Sequence, residues 1–232
     1  MDSLAPETLA NVASFLDPQS LLNFAMVSKK TYAFVKYHET LLASGTNIYT
    51  QLEESGLLPL SLAISKSATH GPFYDTKEAI DFIDEYFPQD TSNERPALWK
   101  KMTLRDLLVM DSFHGVVERC TTVIGGLAMQ NLGKRLTRHR QCSATEIRRI
   151  QKGLYLSQLL RNMFPRNYKL RDGHGRAEQL RMKPAWAHLW SHFAPWELQQ
   201  ARCVENLLAE HVKDGKSTIK TFNAGNLVLT QK

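Results

Sequence analysis

The chain has 232 residues, 43% hydrophobic and 22% charged, which suits an ordinary soluble globular protein of one large or two small domains. Its longest apolar-and-glycine stretch, Val123 to Met129, is far too short to span a bilayer, and Met1-Asp2-Ser3 places an acid where a secretory leader needs a base. The net charge of +6 is moderate, and three widely spaced cysteines (Cys120, Cys142, Cys203) fit reduced thiols in cytoplasm or nucleus rather than a disulfide framework.

The first helix is expected to open at Pro6, whose fixed φ and missing N–H suit the first helical position. Asp17 before Pro18 is an N-cap that starts a second helix, and a third begins near Lys29 and fades at Ala43-Ser44-Gly45. At 100° per residue, Leu9, Val12, Ala13, Phe15 and Leu16 form one broad face of the first helix. On the second, Leu21, Leu22, Phe24, Ala25, Met26 and Val27 leave almost no polar side, so it must be buried nearly all round. Three helices of roughly ten residues cannot close such a core alone. Their surplus apolar surface must meet the rest of the chain, another protein, or both.

The order Leu4, Pro6-Glu7, Leu9, Val12, Phe15-Leu16-Asp17-Pro18, Leu21-Leu22, Val27-Ser28, Tyr32 and Phe34 resembles an F-box from end to end. The sequence departs from that pattern at Ala5, where the family carries a second proline, and at Thr8, where it carries an aliphatic residue. The resemblance implies a three-helix module over residues 1–46 that docks on the Skp adaptor of SCF ubiquitin ligases. It also implies that Leu4, Pro6, Leu9, Val12, Leu16, Leu21 and Val27 either engage that adaptor or hold the module's helices together.

Residues 47–232 read as an irregular helical domain, so the expected fold is all-α. Asp75-Thr-Lys-Glu78, Thr103-Leu-Arg-Asp106 and Ser143-Ala-Thr-Glu146 have the form of capping boxes, each before an apolar run. Gly115 and Gly125-Gly126 are expected to interrupt the second of these helices. The third runs through Ile147, Ile150, Leu154 and Leu159 to Phe164-Pro165. Pro195 and Glu197 open a last helix reaching about Val212. Between these two, the polar stretch Pro165–Lys183 with Asp172-Gly-His-Gly175 reads as a flexible loop. The blocks Glu146–Phe164 and Phe193–Leu207 are similar to helices that follow the F-box in fungal F-box-containing proteins. Under that resemblance the helical region recruits an unidentified target protein.

Lys134, Arg135, Arg138, Arg140, Arg148 and Arg149, with Lys152 nearby, form a basic cluster able to hold phosphates or an acidic partner. No interleaved aromatics offer stacking platforms, so a solvated helix face is the simpler reading and nucleic acid is not the expected partner. His188 and His192 are four apart, as two metal ligands on one helical face would be. A zinc site needs three or four ligands and a metalloprotease a glutamate between the pair, but the sequence reads His188-Leu-Trp-Ser-His192 with no such glutamate, and no metal is expected. Pro184, Pro195, Trp186, Trp190 and Trp196 suggest a packed aromatic corner instead. Cys120 follows His114 and Glu118 at helical spacing, yet a buried thiol accounts for it as plain packing. No paired carboxylates or phosphate loop stand out, so neither a catalytic residue nor a cofactor is expected. The leading expectation is a non-catalytic substrate receptor of an SCF-type ligase. The alternatives are an adaptor-bound scaffold outside any ligase, and a nucleic-acid-binding protein using residues 134–152.

Overall fold

The computed structural model describes residues 5–88, 102–133, 141–164 and 174–213. Among these residues there are eleven helices and no strand, so the fold is all-α as the sequence implied. In chain order they are α1 (Pro6–Ser14), α2 (Pro18–Met26), α3 (Lys29–Tyr37), α4 (Glu39–Ser44), α5 (Asn47–Glu54), α6 (Leu58–His70), α7 (Thr76–Tyr86), α8 (Leu104–Gly133), α9 (Ala144–Met163), α10 (His174–Ser191) and α11 (Pro195–Lys213).

The core is organised around α9, against which α6, α8 and α11 all pack. Its start is exposed, whereas Gly153, Leu154, Tyr155, Leu156, Ser157, Leu159 and Met163 are buried. Gly153 lets α11 come close, because a Cβ there would stand 3.2 Å from the Val204 Cγ2 and 3.4 Å from the Ala201 Cα. Burial of α6 extends almost all round, and the hydroxyls of Ser65 and Ser67 within it are hydrogen-bonded, while that of Ser61 is buried without a partner. The Asn162 amide donates to the Ile64 carbonyl and the Ser67 hydroxyl, each at 3.2 Å. The Phe73 N–H donates to the Met163 carbonyl at 2.8 Å, tying the exit of α6 to the end of α9.

Helix α8 begins at a full capping box. The Thr103 N–H donates to the Asp106 carboxylate at 2.9 Å, and the Asp106 N–H donates to the Thr103 hydroxyl at 3.2 Å. The same carboxylate accepts from Lys66 Nζ at 2.6 Å and Ser65 Oγ at 2.9 Å, clamping α8 to α6. Gly115, Gly125 and Gly126 do not interrupt this helix, contrary to the sequence expectation. Each glycine costs about 1 kcal/mol against alanine. The buried stripe Leu107, Met110, Phe113, Val117, Cys120 and Ile124, recurring every three or four residues, outweighs that cost and keeps α8 continuous along the core.

Other expectations are corrected in detail. The third helix breaks at His38, where φ is −102° and ψ 12°, dividing it into α3 and α4. Gly45 ends α4 with φ −84°, so it does not use the left-handed stop available to glycine. Ser143 and Glu146 form the complete capping box that opens α9. At α7 only half the box forms: Asp75 accepts from the Glu78 N–H at 2.9 Å, while the Glu78 carboxylate turns to His70 at 3.0 Å. The flexible loop expected over 165–183 is at most shorter, because His174–Lys183 belongs to α10 and residues 165–173 lie outside those described. Pro184 sits inside α10 rather than at a corner. Met182, Ala185 and Leu189 are buried at a spacing of three and four and carry the helix through. The aromatic corner is partial. Trp186 meets Trp190 edge-on at 5.4 Å and Trp190 meets Phe193 at 6.1 Å, while Trp196 is exposed.

Candidate protein-docking surface

The N-terminal helices are set at their corners by local chemistry. Pro6 opens α1 with Glu7 in the first turn, where a negative charge suits the helix N-terminus. Asp17 caps α2 by accepting from the Ser20 N–H at 2.9 Å and the Ser20 hydroxyl at 2.7 Å. These bonds, the Ser20 backbone bond foremost, hold the Asp17 carboxyl below its ordinary value. Ser28 then caps α3. It accepts from the Thr31 N–H at 3.1 Å, and the Thr31 hydroxyl accepts from the Ser28 N–H at 2.9 Å, so threonine does the work glutamate does in the usual box. Each corner turns the chain sharply enough to lay α3 against both α1 and α2.

The apolar residues of this segment divide into two sets. Leu9, Ala13, Pro18, Leu21, Ala25, Thr31 and Val35 face inward and are buried. Facing out are Val12, 42% exposed, and Phe15, 88% exposed, near the end of α1, with Met26, 77%, and Val27, 55%, at the corner between α2 and α3. Tyr32, Tyr37 and Leu41 are exposed as well. Seven of the twelve large apolar side chains that are exposed among the described residues therefore fall between positions 12 and 41. Isolated surface apolars need no explanation, but such a concentration makes this segment the candidate interaction surface.

The seven residues singled out in the sequence are correspondingly split. Leu9 and Leu21 hold the helices together from inside, Leu16 is half-buried against the core, and Val12 and Val27 stand on the surface. Pro6 starts α1, and Leu4 lies outside the described residues. Met26 was not among the seven, although the nearly all-round apolar character of α2 left more apolar surface than one core could take, and neither was Phe15, which ends the broad apolar face of α1. Of the basic cluster, Arg148 and Arg149 are exposed in the first turns of α9, and Lys134, Arg135, Arg138 and Arg140 lie outside the described residues. Lys152 is committed to Glu197 of α11.

The groups considered for chemistry sit elsewhere. Cys120 is buried and burial pushes its thiol up, with the nearby Arg119 pulling the other way. A protonated, enclosed thiol is a poor nucleophile. His114 is engaged with the Tyr155 hydroxyl at 3.0 Å, and burial holds it below the ordinary histidine value against Glu118 and Asp111. His188 and His192, not expected from the sequence to hold a metal, are joined by Asp84 of α7. No helix among the described residues is long and apolar enough to cross a membrane.

Fold and surface together define an all-α protein whose N-terminal corner turns apolar side chains outward. Residues 1–42 match the family model of the F-box domain, and the chain is an F-box domain-containing protein. That domain implies docking on the Skp adaptor of SCF-type complexes, whose F-box proteins are typically non-catalytic. The likeness of the later blocks to fungal proteins rests on sequence alone. Neither a curated protein nor a solved structure matches the chain.

Proposed function

We propose that this chain is a non-catalytic substrate receptor of an SCF-type ubiquitin ligase in the cytoplasm or nucleus. Its F-box holds the Skp adaptor, and the body built from α5 to α11 presents a target protein. The observation that carries the reading is the concentration of outward apolar side chains within the matched domain. Val12, Phe15, Met26 and Val27 supply the surface, with Leu4 and Pro6 beside them in sequence and half-buried Leu16 below. Leu9 and Leu21 act indirectly, by keeping α1 and α2 packed. The mechanism is proximity. Holding a target near the charged conjugating enzyme raises the effective concentration of its lysines, so the receptor contributes position and no chemistry.

The exposures select the probe. Leu16→Asp would disturb the core as well as any interface, whereas Met26→Asp and Val27→Asp alter the surface alone. The wild-type chain should co-elute one-to-one with a purified Skp adaptor on size-exclusion chromatography at micromolar concentration. Each aspartate variant should lose the complex while keeping its helical circular dichroism. Anchors at the centre of an interface contribute about 2–4 kcal/mol each, so one buried charge suffices to move the complex out of the micromolar range. No complex with the wild-type chain, or complexes retained by both variants, would overturn the proposal.

A further inference from the structure

Asp84 stands near the end of α7, and His188 lies in the last turn of α10, the helix packed against it, four residues before His192. His192 itself lies one residue past the end of α10, in the turn that follows it. Nε2 of His188 is 2.7 Å from Asp84 Oδ1, and Nε2 of His192 is 3.9 Å from the same oxygen. One ligand atom from each residue lies within 4.8 Å of the other two. The His192 side chain is only 6% exposed, and its Nε2 is buried without a hydrogen-bond partner. Buried polar atoms in folded proteins are paired as a rule, and one that is not calls for a missing partner such as an ion. Here the idle nitrogen points at a carboxylate already shared with a second imidazole. The two rings stand nearly perpendicular with centroids 5.1 Å apart.

We propose that Asp84, His188 and His192 form a Zn2+ site that clamps α7 to α10, with water completing the coordination. Two imidazole nitrogens and one carboxylate oxygen are a donor set for zinc, whereas calcium and magnesium take oxygen ligands throughout. Zinc binds such atoms at about 2.0–2.2 Å in a tetrahedron, which sets neighbouring donors about 3.4 Å apart. The observed 2.7 and 3.9 Å lie on either side of that spacing. Rotation of Asp84, about half exposed and tethered by no backbone cap, brings both toward it. The ion replaces the His188–Asp84 hydrogen bond and gives the His192 nitrogen the partner it lacks. The open side at Asp84 and His188 supplies both the entry path and the position for water.

The test uses the full-length chain, stripped with a chelator, dialysed and titrated with ZnCl2 in a calorimeter. One ion per chain should bind at micromolar free zinc. The melting temperature should be several degrees higher with zinc than with chelator, since a ligand of the native state alone stabilises it by mass action. Asp84→Asn and His188→Ala, both on the open side, should each weaken binding at least tenfold. Cys203→Ser, which removes an exposed ligand elsewhere, should leave it unchanged. Co2+ in place of zinc should give the visible absorption of a tetrahedral site in the wild type and lose it in the same two variants. Failure of the wild-type chain to hold zinc at micromolar concentration would overturn the proposal. So would one-to-one binding that persists unweakened in Asp84→Asn and His188→Ala. Because neither variant touches the buried histidine, the result does not depend on His192→Ala folding.

Discussion

Asp106→Ala should be the most damaging single change at a polar residue of this core. The carboxylate is buried and accepts four hydrogen bonds, from Lys66 Nζ, Ser65 Oγ, the Thr103 N–H and the Thr103 hydroxyl, at 2.6, 2.9, 2.9 and 2.7 Å. Losing the cap of α8 costs about 1 kcal/mol. Breaking a buried ion pair by removing one partner costs about 3–5 kcal/mol. The Lys66 side chain is still 27% exposed, so its ammonium can reach water once Asp106 is gone, which moves that cost to the low end or below. The two together give about 3 kcal/mol. In a protein of this size that corresponds to a fall in melting temperature of about 6–12 °C, read by circular dichroism and checked as a lower urea midpoint with an unchanged slope. Asp106→Asn isolates the charge. Burial pushes the Asp106 carboxyl up, but the bonds from Lys66, Thr103 and Ser65 outweigh it and hold the group below its ordinary value of 3.8. A depressed carboxylate contributes stability that is fully present above its unfolded value and is lost as pH falls through the folded one. The gap between wild type and Asp106→Asn should therefore be constant above about pH 4 and close below it. A cost under about 1 kcal/mol for Asp106→Ala, or a gap that widens in acid, would refute the assignment of Asp106 as the clamp between α6 and α8.

Leu21→Ala should cost about 2–5 kcal/mol in urea unfolding because Leu21 is fully buried. Val27→Ser, on the exposed corner, should stay within about 0.5 kcal/mol in the same assay. At Gly153 the close approach of Val204 makes Gly153→Val an overpacking change of about 1–3 kcal/mol by urea unfolding. In Gly153→Ala the Val204 methyl must give by a few tenths of an ångström, which roughly offsets the gain of about 1 kcal/mol in helix propensity. His114 and His192 are both held low chiefly by burial, so the folded state resists their protonation. Their contribution to stability is complete above about pH 6.5 and falls as pH drops below it. Melting temperatures between pH 8 and 5 should decline on the acid side, and Gln at either position should flatten that decline.

What could be read from the sequence was local. Pro6, the Asp17-Pro18 corner and the Ser143–Glu146 box act within one helical turn, so residue type and spacing were enough to place α1, α2 and α9. The break at His38 and the continuity of α8 through three glycines depend on what the neighbouring helices bury, and no local pattern carries that information. The same holds for the surface. Periodicity showed that α2 has too much apolar area for one core, but not that Leu21 and Ala25 turn inward while Met26 and Val27 turn out. Asp84 was beyond reach for a plainer reason: it stands 104 positions from His188 in sequence and meets it only because α7 and α10 pack together.

The way the F-box is mounted bears on how a receptor of this kind would work. Helix α4 follows α3 after the single residue His38, and the links from α4 to α6 are two or three residues long. Both α2 and α4 pack on α8, and Glu39 of α4 accepts a hydrogen bond from the Leu104 N–H at 2.9 Å, at the first turn of that helix. Buried side chains from Ala13 to Val204 belong to one hydrophobic cluster. A domain joined by a flexible linker samples a sphere, and the effective concentration of anything it carries is diluted over that volume. Here the F-box corner and the body share a core, so under the proposed function a target held by the body would keep a fixed distance and direction from the adaptor. The same coupling would place a limit on a target, which would have to offer a lysine along that direction, because the links joining α3 to α6 are at most three residues long.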